Sequence, residues 1–136
     1  MALILIVDDQ KSDMLLLKSF LRSGGHNVLE ASNGAEAIEM TRNFNLDLVV
    51  TDLRMPVVNG LRLIRALRDT GDQIPIIAVS GPNADQLMLA EDYGANAALA
   101  KPFGKEEFLG LVDRVLADDR SSWGDAWIQP DGSTGK

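Results

Sequence analysis

Five positions in this 136-residue chain carry side chains with chemical potential in combination: the adjacent acids Asp8 and Asp9, the acid Asp52, the hydroxyl of Ser80, and the ammonium of Lys101 before Pro102. Three carboxylates gathered at one place repel and raise one another's pKa unless a cation compensates them. The chain has no cysteine, so any ligand set here is made of oxygen, and the fitting cation is Mg²⁺, which keeps some of its waters and is held by one or two carboxylates. A divalent ion so held also neutralises an incoming phosphoryl group, whose remaining oxygens suit a lysine and a hydroxyl. Such a set is suited to moving a phosphoryl group onto a carboxylate. Taken singly each residue is ordinary: Asp-Asp is common loop chemistry, Asp52 would serve as a helix cap, a lone Ser80 says little, and Lys101 is at home in solvent.

Placement is what makes the combination specific. The run from Leu3 to Val7 has no polar alternation, as expected of a strand covered on both faces in a parallel sheet. The same texture returns at Val28 to Ala31, Leu46 to Thr51, Ile74 to Val79 and Ala97 to Ala100, with room for one helix after each. Ser12 is placed to cap a first helix with Leu16, Leu17, Phe20 and Leu21 on one face, ended by Gly24-Gly25. Asn33 and Glu36 resemble a capping box ahead of Ala37, Ile38 and Met40. Gly60 to Arg68 pairs an apolar face of Leu61, Ile64, Ala66 and Leu67 with a basic one of Arg62, Arg65 and Arg68, read as solvated. Ala84 to Tyr93 and Lys105 to Leu116 follow, the latter with Phe108, Leu109, Val112 and Val115 at core-facing intervals. Strict β-then-α alternation implies a three-layer α/β sandwich around a doubly wound parallel sheet of (βα)5 type. Ligands of such sheets bind beyond the carboxyl ends of the strands, where Asp8-Asp9, Asp52, Ser80 and Lys101 stand.

Composition narrows the class further. Hydrophobic residues at 46% and charged residues at 24% describe one ordinary globular domain. Thirteen basic against 20 acidic residues leave a charge of -7, which disfavours the phosphate backbone of nucleic acid and anionic membrane. Absence of cysteine closes off a disulfide scaffold, and the apolar opening stops at Asp8, too short for a signal peptide or a membrane span, so a cytoplasmic setting is expected. Residues 1–117 are expected to form the domain. Residues 118–136, rich in Asp, Gly, Ser and Pro and holding Trp123 and Trp127, read as a flexible tail or linker stub. No output domain is visible in these residues, since the fold uses the chain to about Leu116; the domain either acts alone by binding a partner or belongs to a larger regulator or hybrid kinase. His26 reads as a turn residue, and Leu87, Met88 and Leu89 as packing or an interface edge.

Ile6-Val7-Asp8-Asp9, Val49 to Pro56 with Asn59-Gly60, Ile76 to Ser80, and Gly94-Ala95 leading to Lys101-Pro102-Phe103 together resemble the receiver domain of bacterial two-component response regulators, over Leu3 to about Leu116. The resemblance implies a flavodoxin-like sheet in the order 2-1-3-4-5. It implies Asp52 as phosphoacceptor, attacking the phosphohistidine of a sensor histidine kinase or phosphotransfer protein, or a small donor such as acetyl phosphate. Asp9, Asp52 and the backbone carbonyl of Arg54 would ligate Mg²⁺, with Asp8 acting mainly through water. Lys101 would pair with the phosphoryl group and Ser80 would hydrogen-bond one of its oxygens, drawing in the loop from Gly81 to Asn83 and altering the face made by the fourth helix, fifth strand and fifth helix. The same face is where a homodimer would form. The Lys101-Pro102 bond would be cis.

Two departures from that pattern stand out. Ala98 occupies the place where many relatives carry a tyrosine or phenylalanine whose ring follows the hydroxyl inward, so coupling would be weak or routed through residues such as Tyr93. Leu53 stands where some relatives have tryptophan. Arg54 would affect how fast water hydrolyses the acyl phosphate, and it also stands where aspartyl-phosphate phosphohydrolases carry a second acid, which counts against that alternative. A flavin or nucleotide site is disfavoured because Asp8-Asp9-Gln10-Lys11 replaces a glycine-rich phosphate loop. A receiver-fold scaffold working without phosphorylation is the remaining reading; the intact acidic set argues against it.

Overall fold

A computed structural model describes residues 2–55, 59–81 and 84–117. Its elements run β1 (Leu3–Val7), α1 (Lys11–Ser23), β2 (Asn27–Ala31), α2 (Gly34–Asn43), β3 (Leu48–Asp52), α3 (Gly60–Asp69), β4 (Ile76–Ser80), α4 (Ala84–Tyr93), β5 (Ala97–Ala100) and α5 (Lys105–Ala117). The strands form one parallel sheet in the order β2-β1-β3-β4-β5. The expected tail with Trp123 and Trp127, and Pro82 and Asn83 of the loop after β4, lie outside the described residues. Among those described, no helix is long and apolar enough to cross a membrane.

The buried runs of β1, β3 and β4 are explained by two cores, one on each face of the sheet, whereas β2 at one edge keeps Asn27 and Glu30 exposed. Alternate residues of β1 divide between them. Leu5 and Val7 pack with Leu63, Ile64 and Leu67 of α3, while Ile4 and Ile6 pack with Leu17 and Leu21 of α1 and Phe108 and Val112 of α5. Each such side chain contributes roughly 1.5–3 kcal/mol on leaving water. Phe108 is fully buried between Phe20 and Phe103, with ring centroids 6.2 and 5.3 Å away.

Strand limits differ from those read in the sequence in a way that matters for the site. β3 starts at Leu48 instead of Leu46 and β4 at Ile76 instead of Ile74. The residues ahead of them are engaged otherwise: Asp47 N–H donates to Leu3 O, Ile74 N–H to the Asp72 carboxylate, and Pro75 has no N–H to give. At the other end both strands extend one residue further, so Asp52 and Ser80 belong to the ladder itself, opposite Val79 and Ala100 respectively.

Helix ends also depart from expectation. Ser12 does not cap α1; Gln10 is the N-cap residue, without a side-chain bond, and its own N–H is taken by Asp8 Oδ1 at 2.9 Å. Asn33 caps α2 by accepting from Glu36 N–H, but the Glu36 carboxylate reaches Ser32 N–H, one residue before the reciprocal position of a capping box. Asn59 caps α3 through Arg62 N–H. Of the two glycines after α1, only Gly25 has positive φ, at 86°. His26 does sit at a turn, where its Nδ1 accepts from Ala2 N–H. Leu16 is exposed, and Met14 takes the buried place beside Leu17 and Leu21.

Arg68 does not belong to a solvated basic face. Its guanidinium donates to Gly94 O at 2.9 Å, Asp72 O at 2.8 Å and Asn96 Oδ1 at 3.1 Å, joining the end of α3 to the α4–β5 connection. Asn96 Oδ1 in turn accepts from Ile76 N–H at the start of β4. Arg68→Ala is expected to cost about 1.5–3 kcal/mol, because charge-assisted bonds and the packed stem are lost together. Urea unfolding of the variant measures this, and a change below about 0.5 kcal/mol would return Arg68 to the solvated class.

Candidate functional site

Strand ends place the acids. β1 delivers Asp8 and Asp9, and Asp8 N–H donates to Ala31 O at the end of β2, fixing the first turn out of the sheet. Asp52 ends β3, and Leu53 N–H donates to Val79 O, which ties the next residue to β4. One carboxylate oxygen from each of Asp8, Asp9 and Asp52 lies within 4.8 Å of the other two. Asp8 and Asp52 are 2% and 6% exposed while Asp9 is open to solvent, so the pair carrying the larger desolvation cost is the inner one.

Electrostatics follow from that burial. It pushes the Asp52 carboxyl up from 3.8 to about 6, with Asp8 and Asp9 adding to the rise and Lys101 opposing it. Burial raises Asp8 too, against the pull of Gln10 N–H and Lys101. Lys101 Nζ lies 2.9 Å from Asp13 Oδ2, 3.4 Å from Asp52 Oδ1 and 3.6 Å from Asp8 Oδ2. Burial works against its charge, but the bond to Asp13 and the fields of Asp52 and Asp8 outweigh it and hold its pKa above the ordinary value.

Two buried polar atoms have no hydrogen-bond partner among the described residues: Asp8 Oδ2 and Ser80 Oγ. Buried groups of this kind normally find partners, so both point to a ligand. Asp8 Oδ1 is committed to Gln10 N–H, which leaves Oδ2 facing Lys101 Nζ at 3.6 Å. An all-oxygen set of three acids offset by one lysine fits a hard divalent cation such as Mg²⁺. Ser80 Oγ, at the end of the adjacent strand, fits an oxygen acceptor.

Asp8, Asp9, Asp52 and Lys101 are therefore brought together as the sequence suggests, with Ser80 on the neighbouring strand end. Arg54 follows two residues past Asp52 and is exposed. Asp13 was missed. Its signal is spacing: Asp13, Leu17 and Leu21 recur every four residues, which puts a carboxylate on the buried stripe of α1.

A family model for the response regulator receiver domain matches residues 4–113. The chain belongs to that family. The response regulator MprA of Mycobacterium sp. strain KMS is 36% identical over 114 residues, covering 83% of this chain and 50% of that protein. MprA of Mycobacterium leprae strain TN gives the same identity over the same length and shares. The chain thus spans about half the length of the curated relatives it matches. Among solved structures, a response regulator from Chloroflexus aurantiacus superposes with a TM-score of 0.82 at 28% identity, covering 85% of this chain and 98% of that one. The receiver domain of the sensor histidine kinase PA1611 of Pseudomonas aeruginosa, with a magnesium ion coordinated in its active-site cleft, superposes with a TM-score of 0.79 at 28% identity, covering 86% and 98%.

The receiver domain described here has the strand order of its family and a cis Lys101-Pro102 bond. Ala98 pairs with Ala78 in the β4–β5 ladder and packs, with Tyr93, on the core that faces α3 and α4. Leu53 is buried in the same core.

Proposed function

We propose that this receiver domain is the phosphoacceptor of a cytoplasmic two-component phosphorelay, taking a phosphoryl group onto Asp52 from a sensor histidine kinase or phosphotransfer protein. A carboxylate oxygen of Asp52 attacks phosphorus, the bond from phosphorus to the donor nitrogen or acyl oxygen breaks, and the leaving group departs with the electron pair. The supporting observation is the convergence of Asp8, Asp9 and Asp52 within 4.8 Å, with Lys101 Nζ 3.4 Å from Asp52 Oδ1. Asp8, Asp9, Asp52 and the carbonyl oxygen of Arg54 would hold Mg²⁺. When bound, the ion supplies charge neutralisation for the incoming phosphoryl oxygens. Lys101 carries a point charge toward the same group, and the unpartnered Ser80 hydroxyl donates to one of its oxygens.

Regulation would follow as a population shift. Phosphorylation favours the arrangement in which Ser80 has moved toward Asp52, and the face of α4, β5 and α5 changes for a partner. Ala98 leaves that route without an aromatic ring, so half-buried Tyr93 is the side chain placed to report the movement. The domain is regulatory and catalyses only its own phosphorylation and slow dephosphorylation.

Incubation with acetyl phosphate and Mg²⁺ followed by intact mass measurement tests the reading. Wild type is expected to gain one phosphoryl group, and chelation of Mg²⁺ to prevent it. Labelling that survives chelation unchanged, or that does not occur with Mg²⁺ in excess, would overturn the assignment.

A further inference from the structure

The shortest ion-pair contact of the Lys101 ammonium is with Asp13, not with the proposed acceptor. Asp13 lies in the first turn of α1, on the stripe that Leu17 and Leu21 bury, and its carboxylate meets the lysine across the gap between α1 and the end of β5. The pair sits in a groove lined also by Leu16, Leu17, Pro102 and Phe103, where apolar walls reduce competition from water. Side chains of Lys101 and Asp13 are 22% and 34% exposed, so the attraction is stronger than that of a fully solvated pair yet remains reversible.

We propose that Asp13 is a positioning residue that draws the Lys101 ammonium toward one side of the acidic cluster, loosening its hold on Asp8 and Asp52 in favour of the cation and holding the lysine back from a phosphoryl group. The proposal rests on the reading of Asp52 as acceptor. Its logic is competition for one charge with three claimants. With Asp13 ionised, Lys101 divides its attraction, and the cluster keeps more negative potential for Mg²⁺. Without that charge Lys101 settles on Asp52 and Asp8, where it opposes Mg²⁺. Once Asp52 carries a phosphoryl-like group the order reverses, because Lys101 must turn to the new anion and the Asp13 carboxylate both restrains the lysine and repels the group.

The test is a pair of binding constants on the full chain, by calorimetry: Mg²⁺ alone, and beryllofluoride, a phosphoryl mimic that binds carboxylate oxygen, at saturating Mg²⁺. Asp13→Asn keeps the shape and removes the charge. It is expected to weaken Mg²⁺ binding roughly threefold to tenfold and to tighten beryllofluoride binding by a similar factor, with Asp13→Glu restoring both toward wild type. A purely structural role would move both constants the same way, and that result, or no change in either, overturns the proposal. In a Lys101→Met background the effect of Asp13→Asn on Mg²⁺ should shrink; an undiminished effect shows that Asp13 does not act through the lysine and also overturns it. Failure of wild type to bind beryllofluoride while binding Mg²⁺ sinks the acceptor reading instead, and the hold of Asp13 on Lys101 is then decided by the Mg²⁺ constants in the two backgrounds.

Discussion

Gly60→Ala is expected to cost the domain on the order of 3 kcal/mol or more, enough to leave much of it unfolded under ordinary conditions. Gly60 is the first residue of α3, where alanine would normally gain up to about 1 kcal/mol over glycine. Here the added Cβ would overlap the carbonyl oxygen of Asp52 and lie 2.7 Å from Leu53 Cα and 3.0 Å from Asp52 C. All three are backbone atoms at the end of β3, held by Leu53 N–H to Val79 O and by Gly60 N–H to Leu53 O. Relief requires either α3 to retreat, unpacking Leu63, Ile64 and Leu67, or the backbone of Asp52 to move. Urea unfolding reads the first outcome and Mg²⁺ affinity the second. A variant as stable as wild type with unchanged Mg²⁺ binding would show that the close approach is not what the position requires.

Asp52→Asn should separate function from stability more sharply than any other change. The amide keeps the shape of the side chain but removes the nucleophilic oxygen pair and a negative charge, so phosphoryl uptake from acetyl phosphate is expected to fall to background. At the same time the variant should be the more stable protein in chelating buffer at pH 7. The reason is linkage. With a folded pKa of about 6 against 3.8, native Asp52 holds its proton more tightly than the unfolded chain does. Its contribution to stability is full below about pH 4 and is lost as pH rises through about 6. The ionised acid at pH 7 therefore burdens the fold by an amount on the order of 2–3 kcal/mol, which the amide avoids. The gap between variant and wild type should narrow as pH falls from 7 to 4. Mg²⁺ should narrow it as well, by binding the native wild type more tightly. Thermal unfolding across that pH range checks both signs. An Asp52→Asn protein less stable than wild type in chelator at pH 7 would mean that Lys101 outweighs burial at this site.

Much of this was legible because parallel sheets send chemistry to one edge. Unbroken apolar runs located the strands, and the polar residue after each run then had only one place to go. Asp8, Asp9, Asp52 and Lys101 group in this way from the sequence alone. Limits of the strands were less legible, since Leu46 and Ile74 are apolar but are followed by residues whose N–H groups are committed elsewhere or missing, as at Pro75. Arg68 shows a different failure. Its neighbours Arg62 and Arg65 suggest a solvated stripe, and the approach of the α4–β5 turn, with Gly94 and Asn96, adds to the local carbonyl of Asp72 the acceptors that hold its head group half-buried. Asp13 escaped because a carboxylate in the first turn of a helix is favourable for the dipole alone and invites no further question. Its partner lies 88 positions along the chain.

β5 borders the sheet and is bonded to one strand, β4, while its residues reach into both cores: Ala97 and Leu99 toward α5, Ala98 toward α4. Lys101 follows directly at its tip, tied by its own N–H to Ser80 O at 2.6 Å. A tug on the lysine or the serine is thus delivered to a ribbon anchored along a single seam, which can slide a little without tearing a second row of bonds. Because the ribbon's two surfaces are gripped by opposite layers, any such slide repacks the front and the back of the molecule together.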